Sequence, residues 1–87
     1  MHFVYILRCS DGSLYIGETD DIKGRIVRHQ DGRGCAYTAR RRPVELVYLE
    51  EHTDRIGARR RESQLKRWTR RKKEALVSRD LALLKTL

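Results

Sequence analysis

Five side chains in this sequence, Tyr5, Tyr15, Arg25, His29 and Glu62, carry the groups that displacement at a phosphorus centre calls for. Such a reaction needs a positioned water, charge neutralisation at the phosphoryl oxygens and help for the leaving oxygen. Arg25 offers a planar cationic fork that suits a phosphate. His29, one helical turn on, can accept a proton near neutrality, because an unperturbed imidazole has a pKa of about 6.5. Glu62 is the one acid in residues 59–73, "RRRESQLKRWTRRKK", which hold nine bases. A lone carboxylate can bind one Mg²⁺ that keeps most of its waters and takes a phosphate oxygen as a further ligand. Each residue also has an ordinary use. Glu62 can pair with Lys66 at i,i+4 for a few tenths of a kcal/mol, and Arg25 can pair with Asp21. His29 can face the negative end of a helix, and tyrosines are common in strands. Convergence on one surface is what would give the five a shared purpose.

The elements decide whether they can converge. "HFVYILRC" (2–9) and "SLYIGE" (13–18) read as two strands around "SDG". A two-residue loop, Asp11-Gly12, would set Tyr5 and Tyr15 on opposite faces. A three-residue loop, Ser10 to Gly12, pairs Leu7 with Tyr15 and Tyr5 with Gly17, through a type I turn closed by a left-handed glycine. That register gathers Val4, Ile6, Leu14 and Ile16 on one apolar face, and Tyr5, Leu7, Tyr15 and Gly17 on the other. The segregation selects it. In this register a side chain at Gly17 would project between the Tyr5 phenol and a bound phosphate.

Thr19 or Asp20 caps a helix running to about residue 30, with acids in its first turn. Ile22 and Ile26 share one stripe, Arg25 and His29 the next. Residues 31–43, "DGRGCAYTARRRP", read as a basic loop ended by Pro43, and "VELVYLEE" (44–51) as a third strand. Thr53 starts a second helix to about Trp68 with an inward stripe of Ile56, Leu65 and Trp68, flanked by Ala58 and Glu62. Thr69 caps a third helix. Ser78 caps a final one, about 78–87, carrying Leu81, Leu84 and Leu87. This order predicts an α+β fold, a three-stranded antiparallel sheet flanked by helices, in one domain over 1–87 with its centre at about 3–75.

The charge is concentrated in the second half. Residues 1–39 carry five bases and five acids, residues 40–87 fifteen and seven, which is the whole net charge of +8. A block such as 59–73 attracts polyanions. Its apolar residues are too few for a broad membrane-insertion face, and no run approaches the roughly 18 apolar residues of a span. Met1-His2-Phe3 leads straight into a strand pattern, without the n- and h-regions of a signal peptide. Cys9 and Cys35 have no metal-site spacing and make no disulfide framework. A cytoplasmic protein with reduced thiols is the expectation.

Together these residues resemble the GIY-YIG nuclease superfamily. The likeness rests on "VYI" (4–6), "YIG" (15–17), Thr19, Arg25, His29 and Glu62, in order on the expected elements. The loop "YTARRRP" (37–43) and the helix "RRRESQLKRW" (59–68) look further like a group of small stand-alone bacterial members. Val4 stands where the name motif has glycine, and Ala36 where the bacterial group has lysine. The family's late polar residue has no counterpart that can be placed. The resemblance implies a one-metal hydrolysis. Tyr5 would orient and help deprotonate the attacking water, aided by His29. Tyr15 would hydrogen-bond the scissile phosphate or the water, Arg25 would stabilise developing charge, and Glu62 would hold Mg²⁺ or Mn²⁺.

The function so implied is a metal-dependent DNA endonuclease acting in repair, recombination or the processing of branched or damaged DNA. DNA contacts are expected at Gly17, Thr19, Tyr37, Thr38, Arg40, Arg41, Arg42, Lys66 and Arg67. Contacts to the backbone position a substrate without reading its sequence. Trp68 reads as core rather than as a stacking platform. A protein partner could direct substrate choice, and the oligomeric state is left open. The alternatives are a nucleic-acid-binding module of the same fold that cuts poorly, and an RNA-associated basic protein.

Overall fold

The computed structural model describes residues 1–86, so the expectation for Leu87 lies outside the described residues. The chain runs β1 (His2–Arg8), β2 (Leu14–Thr19), α1 (Ile22–Gln30), α2 (Ala36–Ala39), β3 (Glu45–His52), α3 (Arg55–Lys66), α4 (Arg70–Val77) and α5 (Leu81–Thr86). The strands form one antiparallel sheet in the order β2-β1-β3, with β1 in the middle. The fold is the expected α+β arrangement.

The first hairpin has the three-residue loop. Leu7 pairs with Tyr15 and Tyr5 with Gly17. The Cys9 N–H donates to the Ser13 carbonyl at 2.8 Å, and Gly12 takes a φ of +84°, a conformation that suits glycine. The two faces therefore separate. Val4, Ile6 and Ile16 pack with Ala58 and Leu65 of α3 and Leu76 of α4, and Leu14 and Trp68 border them. Tyr5, Leu7, Cys9 and Val44 form the other cluster, covered by Ile22 and Ile26 of α1. A bulge between Ile6 and Leu7 shifts the β1–β3 register.

Several local boundaries differ from the expectation. The cap of α1 is Asp21, whose carboxylate accepts the Gly24 N–H at 3.1 Å, so the acids precede the helix and none lies in its first turn. Residues 36–39 of the expected loop form the short helix α2. Gln30 closes that connection, its side chain exchanging hydrogen bonds with the N–H and carbonyl of Val44. Asp54, not Thr53, caps α3 by accepting the Gly57 N–H at 2.8 Å.

Ile56 is 64% exposed, not inward. At about 100° per residue, the nine steps to Leu65 turn an α-helix through about 180°. The inward stripe is Ala58, Glu62 and Leu65 instead. Thr69 caps α4 as expected. Ser78 ends α4 rather than starting α5, where Asp80 accepts from Leu83 N–H at 3.0 Å. Arg8 binds Glu74 through two hydrogen bonds of 2.7 and 2.9 Å, which fixes α4 to the end of β1. No helix among the described residues is long and apolar enough to cross a membrane.

Candidate active site

Tyr5 extends from the central strand across the backbone of Gly17 on the edge strand β2. A Cβ at Gly17 would lie 2.5 Å from Tyr5 Cζ and 3.0 Å from Cε1. Gly17 is buried beneath the ring, so its role is to admit the phenol rather than to make the expected DNA contact. A second glycine does the same for His29. A Cβ at Gly34 would fall 2.6 Å from His29 Cγ and Cε1. Both rings thus rest directly on main chain.

The two rings meet at their polar atoms. Tyr5 Oη lies 3.0 Å from His29 Nε2, and His29 Nδ1 lies 2.8 Å from Thr38 Oγ1. His29 is only 1% exposed. Arg25, one turn earlier on α1, presents its cation to the same phenol. Burial raises the Tyr5 pKa, and Arg25 opposes that rise. Burial lowers the His29 pKa, and the cations of Arg25 and Arg28 lower it further. At neutral pH the pair is therefore an intact phenol beside a neutral imidazole.

Tyr15 stands beside this pair, its ring centroid 6.4 Å from Tyr5 and 5.2 Å from His29. Its own pKa is raised, first by burial and then by its bond to Cys35. Glu62 reaches the site from α3. Its charge adds to the rise of both the Tyr5 and the Tyr15 pKa, so the carboxylate acts on both phenols. The Glu62 side chain is 20% exposed and lies 3.5 Å from Lys66, so the i,i+4 pair also forms. Tyr5, Tyr15 and His29 pack together, the charges of Arg25 and Glu62 act on this group, and among the described residues no Arg25–Asp21 ion pair competes.

A groove of about 240 Å³ adjoins Tyr15, lined by Leu14, Ile16, Tyr37, Lys66 and Lys73. Tyr37, 38% exposed, stacks on Tyr15 at 6.0 Å and carries the Arg41 guanidinium 3.9 Å above its ring. Arg41 also binds Asp11 at 3.0 Å, and Arg42 donates to the Ala39 and Gln30 carbonyls. Arg40, Lys66 and Arg67 are exposed. Trp68 borders the core beneath the cations of Arg61 and Lys72.

Two expected DNA contacts are corrected by burial. Thr19 is buried, and its hydroxyl accepts the Asp21 N–H at 3.1 Å, shaping the turn into α1. Thr38 is fully buried against His29 and cannot touch a polyanion outside. Cys35 carried no functional reading. Burial alone would raise its thiol, but hydrogen bonds with Thr38 and Tyr15 bring its pKa below the ordinary value. Gly34 has no distinguishing mark in the sequence either. The signal for both lay in the tertiary packing of "GRGCAYT", which has no periodicity to read.

Among the described residues no group of three or more His, Cys, Asp or Glu is placed to hold a metal ion. A single hard carboxylate facing a substrate phosphate still suits Mg²⁺, which commonly binds through one or two carboxylates and keeps its waters. Glu62 fits that role.

The buried neutral imidazole makes folding pH-dependent. Because the folded pKa of His29 lies below the unfolded value of about 6.5, the unfolded chain takes up its proton first as pH falls. Stability is full above about pH 6.5 and declines as pH falls toward the folded value, at no more than about 1.4 kcal/mol per unit for one proton. Urea unfolding at pH 7.5 and 5.5 is expected to show this loss in the wild type, and a smaller one in His29→Gln.

Comparison with known proteins places this geometry in a family. The model of the GIY-YIG catalytic domain matches residues 1–75. A UPF0213 protein of Staphylococcus epidermidis is 47% identical over 76 residues, covering 87% of this chain and 93% of that protein. A UPF0213 protein of Staphylococcus aureus is 49% identical over the same shares. The solution NMR structure of a UPF0213 protein from Bacillus halodurans matches with a TM-score of 0.59 and 47% identity, covering 88% of this chain and 82% of that one.

Proposed function

Because the chain belongs to the GIY-YIG family, alongside the UPF0213 proteins, we propose that it is a metal-dependent DNA endonuclease that hydrolyses phosphodiester bonds. The observation that carries this reading is the 3.0 Å contact between Tyr5 Oη and His29 Nε2, with Arg25 and Glu62 acting on the same phenol. A free phenol has a pKa of about 10, so forming phenolate at pH 7 costs roughly 4 kcal/mol. Burial raises that cost. Proton transfer in concert avoids it: as water attacks phosphorus, its proton passes to Tyr5 Oη while the phenolic proton passes to His29 Nε2. Tyr15 donates to a phosphoryl oxygen, and Arg25 stabilises the charge that develops there. The bond from phosphorus to the leaving oxygen breaks opposite the attack, the leaving oxygen takes a proton from solvent, and His29 returns its own to solvent. Glu62 is the residue that would hold Mg²⁺ or Mn²⁺, and the ion when bound would supply charge stabilisation to the reaction.

Arg40, Lys66, Lys73 and Arg67 are cations available to follow a phosphate backbone, and Tyr37 borders the same groove. We take its substrates to be branched or damaged DNA in repair or recombination, with a protein partner directing the choice. Two free thiols, Cys9 and Cys35, are in keeping with a cytoplasmic setting.

The test uses labelled branched and linear duplexes with Mg²⁺ and with excess EDTA. Nicking is expected with the metal and not with the chelator. Glu62→Gln is expected to lower the rate roughly 10²-fold or more while DNA binding persists. Binding without metal-dependent nicking on every substrate would instead identify a binding module. Preference for RNA at matched salt would identify an RNA-associated protein.

A further inference from the structure

We propose that Thr38 is the positioning residue that holds His29 in its Nδ1–H tautomer, leaving Nε2 bare toward the Tyr5 phenol. The inference rests on the nuclease reading for its catalytic consequence, but the proton positions follow from the hydrogen bonds alone.

His29 bridges two buried hydroxyls, those of Tyr5 and Thr38. A main-chain carbonyl can only accept, and each hydroxyl has one proton to give. The Thr38 hydroxyl gives its proton to the Cys35 carbonyl, so it accepts from His29 Nδ1, and Nε2 is left to accept the Tyr5 O–H at 3.0 Å. A neutral imidazole with Nε2 bare carries its proton on Nδ1. Nδ1 then donates to Thr38 Oγ1 at 2.8 Å. Thr38 sends its own proton to the Cys35 carbonyl at 3.4 Å. The chain closes with every proton assigned, and no buried side-chain polar atom among the described residues lacks a partner.

The reverse tautomer breaks this chain at one end. With the proton on Nε2, Nδ1 would become an acceptor, and Thr38 would have to turn its one proton from the Cys35 carbonyl to the imidazole. Thr38 is fully buried, and Gly34 presses on the His29 ring from the side of the α1–α2 connection, so the imidazole cannot turn to a different partner. The threonine acts through the histidine and never meets substrate.

Long-range ¹H–¹⁵N spectra of the full chain read the tautomer directly, with His29 told apart from His2 and His52 by comparison with His29→Gln. The wild type is expected to show protonated Nδ1 and bare Nε2. Thr38→Val is expected to lose that single form and to nick DNA roughly 10- to 10²-fold more slowly, with DNA binding unchanged. Thr38→Ser, which keeps the hydroxyl, is expected to restore both. A wild-type spectrum with the proton on Nε2 overturns the proposal, whether or not Thr38→Val folds. So does Thr38→Val with an unchanged spectrum and rate. If the spectra follow expectation but no substrate is ever nicked, the tautomer assignment stands and the nuclease reading falls.

Discussion

Tyr5→Phe is expected to abolish nicking, lowering the single-turnover rate roughly 10²- to 10⁴-fold while DNA affinity stays within about twofold. The change removes one oxygen and keeps the ring, so the packing of Tyr5 over Gly17 is retained. What is lost is the oxygen bonded to His29 Nε2, through which the proposed reaction passes the proton of the attacking water. The substitution also leaves Nε2 without its partner in a buried place, which costs about 1–3 kcal/mol. Chemical unfolding of the variant separates the two effects. A rate within tenfold of wild type in a folded Tyr5→Phe protein would remove the phenol from the reaction.

Gly17→Ala is expected to act at the same atom by crowding it. The added methyl would need to share space with Cζ and Cε1 of a ring that has no exposed surface, on a strand paired on both sides. Overpacking of this kind costs about 1–3 kcal/mol. The relief open to the ring is to shift its hydroxyl away from His29. A misplacement of about 1 Å can lower a rate roughly 10²-fold. Gly57→Ala is the control, because a Cβ there would lie 3.4 Å from Asp54 Oδ1, in ordinary contact. It is expected to be stabilising by about 0.4–1 kcal/mol with an unchanged rate. Equal melting temperatures and rates for Gly17→Ala and the wild type would remove the close approach as a constraint.

How far the site was legible depended on periodicity. The hairpin register follows from turn chemistry and from the separation of apolar and reactive faces, and it places Tyr5, Tyr15 and Gly17 correctly relative to one another. Arg25 and His29 follow from one turn of α1. Glu62 stands out as the one acid in a basic block. Ile56 is not legible as a surface residue, because a hydrophobic side chain within a helix joins an apolar stripe on paper even when it lies on the far side. Thr19 and Thr38 looked like phosphate contacts because small hydroxyls beside arginines suit that use equally well in one dimension. Their burial comes from how "GETDD" and "GCAYT" pack, which no repeat announces. Asp80 outcompeted Ser78 because α4 continues to Val77 and leaves the serine at its end.

The middle position of β1 has a consequence for how such a protein can change over time. Amides of a strand bonded on both sides are the last to exchange with solvent, since they are released only when the whole sheet opens. Tyr5 is anchored there, so its reactivity cannot be softened by local breathing without melting the molecule. Adaptation to new substrates must instead come through exposed side chains such as Arg40, which can be exchanged around a fixed anvil while Gly34 and Thr38 keep their hold on His29.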